Sequence, residues 1–391
     1  MSKFTKVKLK DCATFINGMA FKPIDWDVKG LPIVRIQNLT GTNKIFNYYS
    51  KEYNPKFEIN NGDLLISWSA SLGVFIWNNG KAILNQHIFK VVFNKIEINK
   101  KYFYFCILDV LEEMSEKTHG SAMRHITKGN FDNIEILLPP LKEQERIVGI
   151  LDESFAKIDE SIKILEQNLL NLDELMQSAL QKAFNPLNDN TKENYQLPQS
   201  WEWKSLGDTS NYGKTSQVKP SQLKGNDWIL ELEDIEKESG VLLQKVLFQD
   251  RQSKSNKIKF NKGDILFGTL RPYLKKVIIA DDNGACSSEI MPFSTGNSIT
   301  NHFIYYYLFA NFLHDRISSL TYGARMPRLG TKDGKSLQIP LPPLQEQEQI
   351  AKHLDFVFEK AKALKELYTK ELKDYEELKQ SLLDKAFKGE L

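Results

Sequence analysis

Two stretches of the chain carry apolar residues at spacings of three and four over an unusual length. The first holds Ile147, Leu151, Ile158, Ile162, Leu165, Leu169, Leu172, Met176 and Ala179, and the second Ile350, Leu354, Val357, Ala361, Leu364, Leu372, Tyr375, Leu378 and Leu382. That period is the signature of an amphipathic helix. Sustained over about 40 residues, or ~60 Å at 1.5 Å per residue, each predicts a rod too long for a small globular domain to bury. The two stripes are therefore expected to bury each other. Boundary signals agree with this reading. Pro139-Pro140 and Pro342-Pro343 precede the stretches, and Glu143, Glu145, Glu346 and Glu348 follow in the first turns, where the positive helix end favours them. Pro186 and Gly389 stand beyond the far ends.

Elsewhere the pattern changes. VFIWNN, KAILNQHIFKVVF, IEILLP and KVIIADD are short runs rich in β-branched and aromatic residues, bounded by Gly, Asn and Asp, and read as strands. YFYFCILDVLEEM and HFIYYYLFANFLHDRI read as buried helices. The fold class is thus α+β: two mixed α/β units alternating with two long helices. The expected domains are 1–140, a first globular unit; 141–186, the first helix; 187–343, a second unit; and 344–391, the second helix. The polar, proline-flanked segment 185–199 is the expected linker.

The chain is also written twice. LPPLKEQERI from Leu138 returns as LPPLQEQEQI from Leu341, and LQKAF ending at Phe184 returns as LDKAF ending at Phe387. Both offsets are 203 residues, and 21 of the 47 aligned positions are identical. Weaker echoes precede each helix. NNGDLLISW around Gly62 matches NKGDILFGT around Gly263, IVRIQNL from Ile33 pairs with ILELEDI from Ile229, and HGSAMRHI from His119 pairs with YGARMPRL from Tyr322. Gly62-Asp63 and Gly263-Asp264 read as turn residues in both copies.

Charge sharpens the division. The 391 residues carry 52 Lys and Arg against 50 Asp and Glu, a net charge of +2. The helical segments 142–182 and 345–388 hold 19 acidic and 14 basic residues, which leaves 31 acidic and 38 basic for the rest. An acidic framework carrying basic units is the footprint of a nucleic-acid reader. At 41% hydrophobic and 26% charged the composition is that of a folded protein. No apolar run approaches the ~20 residues of a membrane span, and no apolar signal region follows the lysines of MSKFTKVKLKDC. Cys12, Cys106 and Cys286 are far apart and odd in number, so a reducing cytoplasm is expected, with no disulfide framework.

LPPLxEQE opening a long amphipathic helix that closes in KAF, repeated once, resembles the conserved regions of specificity subunits of type I restriction–modification systems. LPQSWEWKSLGD at 197–208 resembles the opening of a target-recognition domain in that family, and KAFKGEL resembles its C-terminus. The first unit departs from the pattern by opening with KFTKVKLKDCA, without the tryptophan pair. The resemblance implies two target-recognition domains, each reading one half of a split double-stranded DNA sequence. It implies that the helices form an antiparallel coiled coil in a pseudo-twofold repeat, setting the distance between the halves. Modification (adenine methyltransferase) subunits would dock on that frame, one per half, and a restriction (translocase) subunit would join for cleavage. Related readers meet one face of DNA when half-sites lie about one helical turn apart. Because the two units differ in sequence, the target is expected not to be a palindrome.

Base reading needs side chains with paired donors and acceptors, Arg for guanine and Asn or Gln for adenine. The first unit offers Arg35, Gln37 and Asn38, then Asn85, Gln86 and His87, and a loop with His119, Ser121, Arg124 and His125. The second offers Arg271 and Lys275, Ser287 and Ser288, and Tyr322, Arg325 and Arg328. Against this stands the reading of the same residues as solvated turns and strand ends. Lys254, Lys257, Lys259 and Lys262 form a charged stretch, either phosphate contacts or a solvated edge.

The chain carries no expected catalytic, metal or cofactor site. There is no Asn/Asp-Pro-Pro-aromatic loop, HExxH, paired CxxC or Gly-x-Ser-x-Gly. Gly213-Lys214-Thr215 and Gly334-Lys335-Ser336 lack the earlier glycine of a phosphate loop, with Asp208 and Leu329 in its place. The acidic run ELEDIEKESG at 231–240 has no companion upstream that would complete a magnesium site. Two alternatives remain: a nuclease or methyltransferase acting alone, and a coiled-coil adaptor that joins proteins without reading DNA.

Overall fold

A computed structural model describes residues 4–117, 128–188, 195–251 and 253–391. The chain divides into two compact units, residues 1–165 with 370–391 and residues 166–369. Each unit therefore combines one globular domain with parts of both long helices.

In the first unit a four-stranded antiparallel sheet has the order Thr14–Asn17, Ile88–Val92, Leu64–Ser67, Gly73–Ile76. A second sheet has the order Asn47–Tyr49, Leu31–Val34, Ala82–Leu84, Glu58–Ile59, and its central pair runs parallel, Val34 against Leu84. The helix Lys100–Lys117 packs on the first sheet, and Phe15, Phe89, Phe103 and Phe131 meet between them. In the second unit the corresponding sheets are Val277–Ile279, Ile265–Gly268, Ile290–Phe293 and Gln217–Val218, Lys257–Phe260, Gly284–Cys286, Trp228–Leu230. The parallel pairing recurs as Leu230 against Cys286. The outer strand Thr14–Asn17 has only a remnant here, the single bridge Ser210–Thr295.

The Gly-Asp turns are the same in both units. Gly62 and Gly263 have φ of +86° and +89°, conformations that suit glycine. Asp63 and Asp264 accept from the backbone N–H of Asn60 and Asn261 at 2.9 and 2.8 Å. The reading as turns holds.

The long helices run Leu141–Phe184 and Leu344–Lys388. Their LPPLxEQE starts have a packing reason that the motif alone does not give. Gln144, buried, donates to the Pro139 carbonyl at 2.8 Å and accepts from Asn99 N–H at 2.9 Å, just before Lys100–Lys117 begins. Gln347, also buried, donates to the Pro342 and Ser298 carbonyls and accepts from Thr300 N–H at 3.0 Å, just before the helix Asn301–Tyr307. One glutamine in each copy thus locks a long helix to its domain through groups that would otherwise be unpaired helix ends. The KAF ends dock crosswise: Phe184 packs on Phe303 and Tyr307 in the second unit, Phe387 on Tyr102 in the first.

The helices are antiparallel. Lys379 pairs with Asp159 within the first unit and Lys365 with Asp173 within the second, so equal steps are taken in opposite directions. Along the middle of the first helix the buried positions Leu151, Ile158, Leu165 and Leu172 recur every seven residues, as a coiled-coil seam requires. Leu364 and Leu378 depart from the expected stripe, being 38% and 45% exposed.

HFIYYYLFANFLHDRI is not one helix but two, Asn301–Tyr307 and Asn311–Leu320. Gln177 fills the break from the first long helix, donating to the Phe309 carbonyl at 3.2 Å and accepting from Asn311 N–H at 3.0 Å.

Candidate nucleic-acid interface

One edge of the mixed sheet is built alike in both units. Beyond the parallel pair, Asn85 N–H donates to the Val34 carbonyl and Ser287 N–H to the Leu230 carbonyl, each at 3.0 Å. A tight turn follows, closed by Ile88 N–H on the Asn85 carbonyl and by Ile290 N–H on the Ser287 carbonyl. Trp68 N–H then reaches the His87 carbonyl, and Thr269 N–H the Glu289 carbonyl. Two residues further on, Ala70 and Arg271 both adopt left-handed backbone, with φ of +60° and +48°. The preceding strand ends alike: Asn38 accepts from Arg35 N–H at 3.0 Å, Asp234 from Glu231 N–H at 2.8 Å. Backbone register thus equates Arg35 with Glu231, Asn85 with Ser287, Gln86 with Ser288, His87 with Glu289 and Ala70 with Arg271.

In the first unit this edge gathers Arg35, Asn85, Gln86 and His87. Arg35 lies over the Trp26 ring at 5.3 Å and donates to Asn47 Oδ1 at 2.9 Å, which fixes its guanidinium, while its buried Nε has no partner. Gln86 Nε2 meets His87 Nε2 at 3.0 Å, and the His87 ring stands edge-on to Trp68 at 5.3 Å. Asn85 is half-buried beside Met19, a pairing that needs Gly18, because a Cβ there would fall 2.1 Å from the Asn85 carbonyl oxygen. Gln37 is exposed on the short helix Ile36–Leu39. Asn38 points inward: its Nδ2 donates to the carbonyls of Asn43 and Ile45 at 3.0 and 3.1 Å, so its amide organises its own loop. His119, Ser121, Arg124 and His125 lie outside the described residues.

In the second unit the structure joins Arg271, Ser288, Tyr322, Arg325 and Arg328. Thr321–Tyr322 pairs with Arg328–Leu329 in a hairpin, and the Arg271 N–H donates to the Pro327 carbonyl of its loop at 2.7 Å. Arg271, Ser288, Tyr322 and Arg325 are exposed; Arg328 is half-buried opposite Tyr322. Two candidates do other work. Lys275 is buried, its ammonium donating to the Phe309 carbonyl at 3.2 Å and to Asn311 Oδ1, where it pins the broken helix. Ser287 is buried too, with no partner for its hydroxyl. Lys254, Lys259 and Lys262 are exposed, but Lys257 is buried and bound to Glu231 at 2.6 Å, neither a solvated edge nor a phosphate contact.

Several contributors escaped the sequence reading. Trp26 and Trp68 frame the first edge; a search for aromatic residues beside Arg and His would have found them. In the second unit a cleft of about 590 Å³ is lined by Glu231, Glu233, Arg251, Arg271, Lys276 and Glu289, among others. Asp234 at its back is fully buried and takes both guanidinium nitrogens of Arg251, at 2.8 and 2.7 Å. The run ELEDIEKESG therefore braces this cleft, and no group of three metal-ligating side chains occurs among the described residues. No helix among them is long and apolar enough to cross a membrane.

Two copies of one α+β frame, presenting polar and aromatic edges and held by antiparallel helices, define a duplicated recognition protein. The family follows from comparison: the model of the type I restriction modification DNA specificity domain matches residues 1–171 and again 198–373. The chain belongs to this family of non-catalytic DNA specificity subunits, whose partners are DNA and the modification and restriction subunits of a type I system. It is 27% identical to the type I restriction enzyme EcoDI specificity subunit of Escherichia coli, over 77% of this chain and 72% of that one. It is 25% identical to the EcoBI specificity subunit of the same species, over 99% and 86%. Among solved structures, a chain from a study of complex assembly and conformational transition of the type I R-M system superposes with a TM-score of 0.75 at 19% identity, over 99% and 98% of the two chains. The HsdS subunit from Thermoanaerobacter tengcongensis superposes with a TM-score of 0.54 at 19% identity, over 99% and 97%.

Proposed function

We propose that the first unit reads one half of a split, non-palindromic DNA target and the second unit reads the other. The observation that carries this reading is the equivalence of the two edges. The same hydrogen-bonded frame holds Arg35, Asn85, Gln86 and His87 in one copy and, at the equivalent positions, Glu231, Ser287, Ser288 and Glu289 in the other. A frame kept while its side chains change in charge and size serves two different base sequences. A palindrome would require the same side chains twice.

In the first unit Arg35, Gln37, Asn85, Gln86 and His87 are the readers, with the loop that bears His119, Ser121, Arg124 and His125. In the second they are Arg271, Ser288, Tyr322, Arg325 and Arg328. Arg supplies a two-pronged donor for guanine; Asn and Gln supply a donor and an acceptor for adenine. Asn38, Lys275 and Ser287 drop out, since their polar atoms face their own domains. Lys254, Lys259 and Lys262 contact phosphate, which sets register but not sequence. The helices carry two modification subunits, one for each half, which bring the adenine methyltransferase chemistry, and a restriction subunit joins for cleavage. The site of action is the cytoplasm.

Selection from a pool of random duplexes, using the chain assembled with its modification subunit, tests this. Enrichment of two short unlike motifs at a fixed spacing is expected. A palindromic motif would refute the two-reader assignment. A stable assembly that enriches no sequence would favour the adaptor.

A further inference from the structure

Resting on the reading above, we infer that the cleft of the second unit recognises a G·C base pair, with Arg271 donating to guanine and Glu289 accepting from cytosine. Most charges in the cleft are already engaged. Of its cations, Arg251 is held by the buried Asp234 carboxylate, and the Lys276 ammonium donates to the Leu232 carbonyl at 2.6 Å. Of its carboxylates, Glu231 is bound by the buried Lys257, and Glu233 stands 3.9 Å from Arg251. Among the described residues, Arg271 and Glu289 alone line this cleft as charged side chains with no ion-pair or hydrogen-bond partner. A carboxylate without a cation at a surface facing phosphate is electrostatically unfavourable, unless a base offers it a donor.

Both residues are anchored through their backbones. The Glu289 carbonyl accepts from Thr269 N–H at 2.8 Å and from Thr269 Oγ1 at 3.0 Å, and Arg271 is held in left-handed backbone with its N–H on Pro327. Only one residue, Leu270, separates Thr269 from Arg271, so one short segment positions both backbones. In the major groove a G·C pair shows two acceptors on guanine, which fit a guanidinium, and the N4 amino donor on cytosine, which fits a carboxylate. An A·T pair offers an amino donor but no pair of acceptors on one base edge, so it satisfies Glu289 and leaves Arg271 unmatched. The first unit has Ala70 and His87 at the equivalent positions and lacks this pair of charges.

The test is to map methylated DNA from cells that express the chain with its modification subunit, beside the Glu289→Gln and Arg271→Ala variants. The wild type is expected to show a G·C pair in one half-site. Both variants are expected to relax that same position, each with a loss of discrimination of about tenfold to a hundredfold, and to leave the other half-site intact. The intact half is also the control for folding and assembly. Variants that relax different positions, or that leave the motif unchanged, would overturn the inference while the two-reader assignment stands. A wild type without any split motif would remove both.

Discussion

Lys275 and Asn38 are residue types that recognise DNA, at places where a reader is expected, and the fold uses both internally. What separates them from Arg271 and Gln86 is tertiary proximity: a carbonyl freed by a broken helix for Lys275, a returning loop for Asn38. The Lys275 partner lies 34 residues on; the Asn38 partners lie only five and seven residues on, but the return of that loop leaves no mark in the apolar and polar pattern, so neither distinction was legible there. The same neighbourhood yields a pH dependence. His314 is buried, its Nε2 meets the Leu308 carbonyl at 2.6 Å, and burial, joined by the Lys275 ammonium, pushes its pKa from 6.5 down to about 4, against the opposing pull of Leu308. The folded state therefore binds fewer protons than the unfolded state between pH 4 and 6.5. Stability is complete above the unfolded pKa and falls as pH drops through this window, by an amount on the order of 3 kcal/mol. Denaturant melts at pH 7 and 4.5 should show a smaller acid loss for His314→Gln than for the wild type. Equal losses would mean that His314 titrates normally.

Among the elements, the long helices were the most legible. Prolines, acidic first turns and an apolar period fix their starts at Leu141 and Leu344, because these signals are local. The helix after the second sheet was less so, since its break at Leu308–Ala310 depends on Gln177, more than a hundred residues away. The roles of Gln144 and Gln347 were likewise hidden inside a motif recognised only as a string. If the helix pair sets the separation of the two half-sites, lengthening both helices must lengthen the spacer. Four residues inserted between 165 and 166 and four between 369 and 370, where the chain passes from one compact unit to the other, add about 6 Å to each helix. The methylated motif should gain roughly one or two base pairs of spacer, at 3.4 Å each. A spacer of unchanged length would separate the helices from any measuring role.

Across the whole molecule, the repeat at a constant offset disclosed the duplicated architecture before any element was placed, and the charge division between helices and domains pointed to nucleic acid. The equivalence of Arg35 with Glu231 and of His87 with Glu289 was only half visible. The loose match of IVRIQNL to ILELEDI hinted at it, but strand register establishes it. On the proposed assignment, that equivalence makes the two halves chemically unlike readers, and this is the central claim. Its most direct measurement is a genome-wide map of methyladenine in cells expressing this chain with its modification subunit. The expected result is one motif in two parts, unlike each other, separated by a constant unread spacer and methylated in both parts. A methylated palindrome, or a single uninterrupted motif, would contradict it.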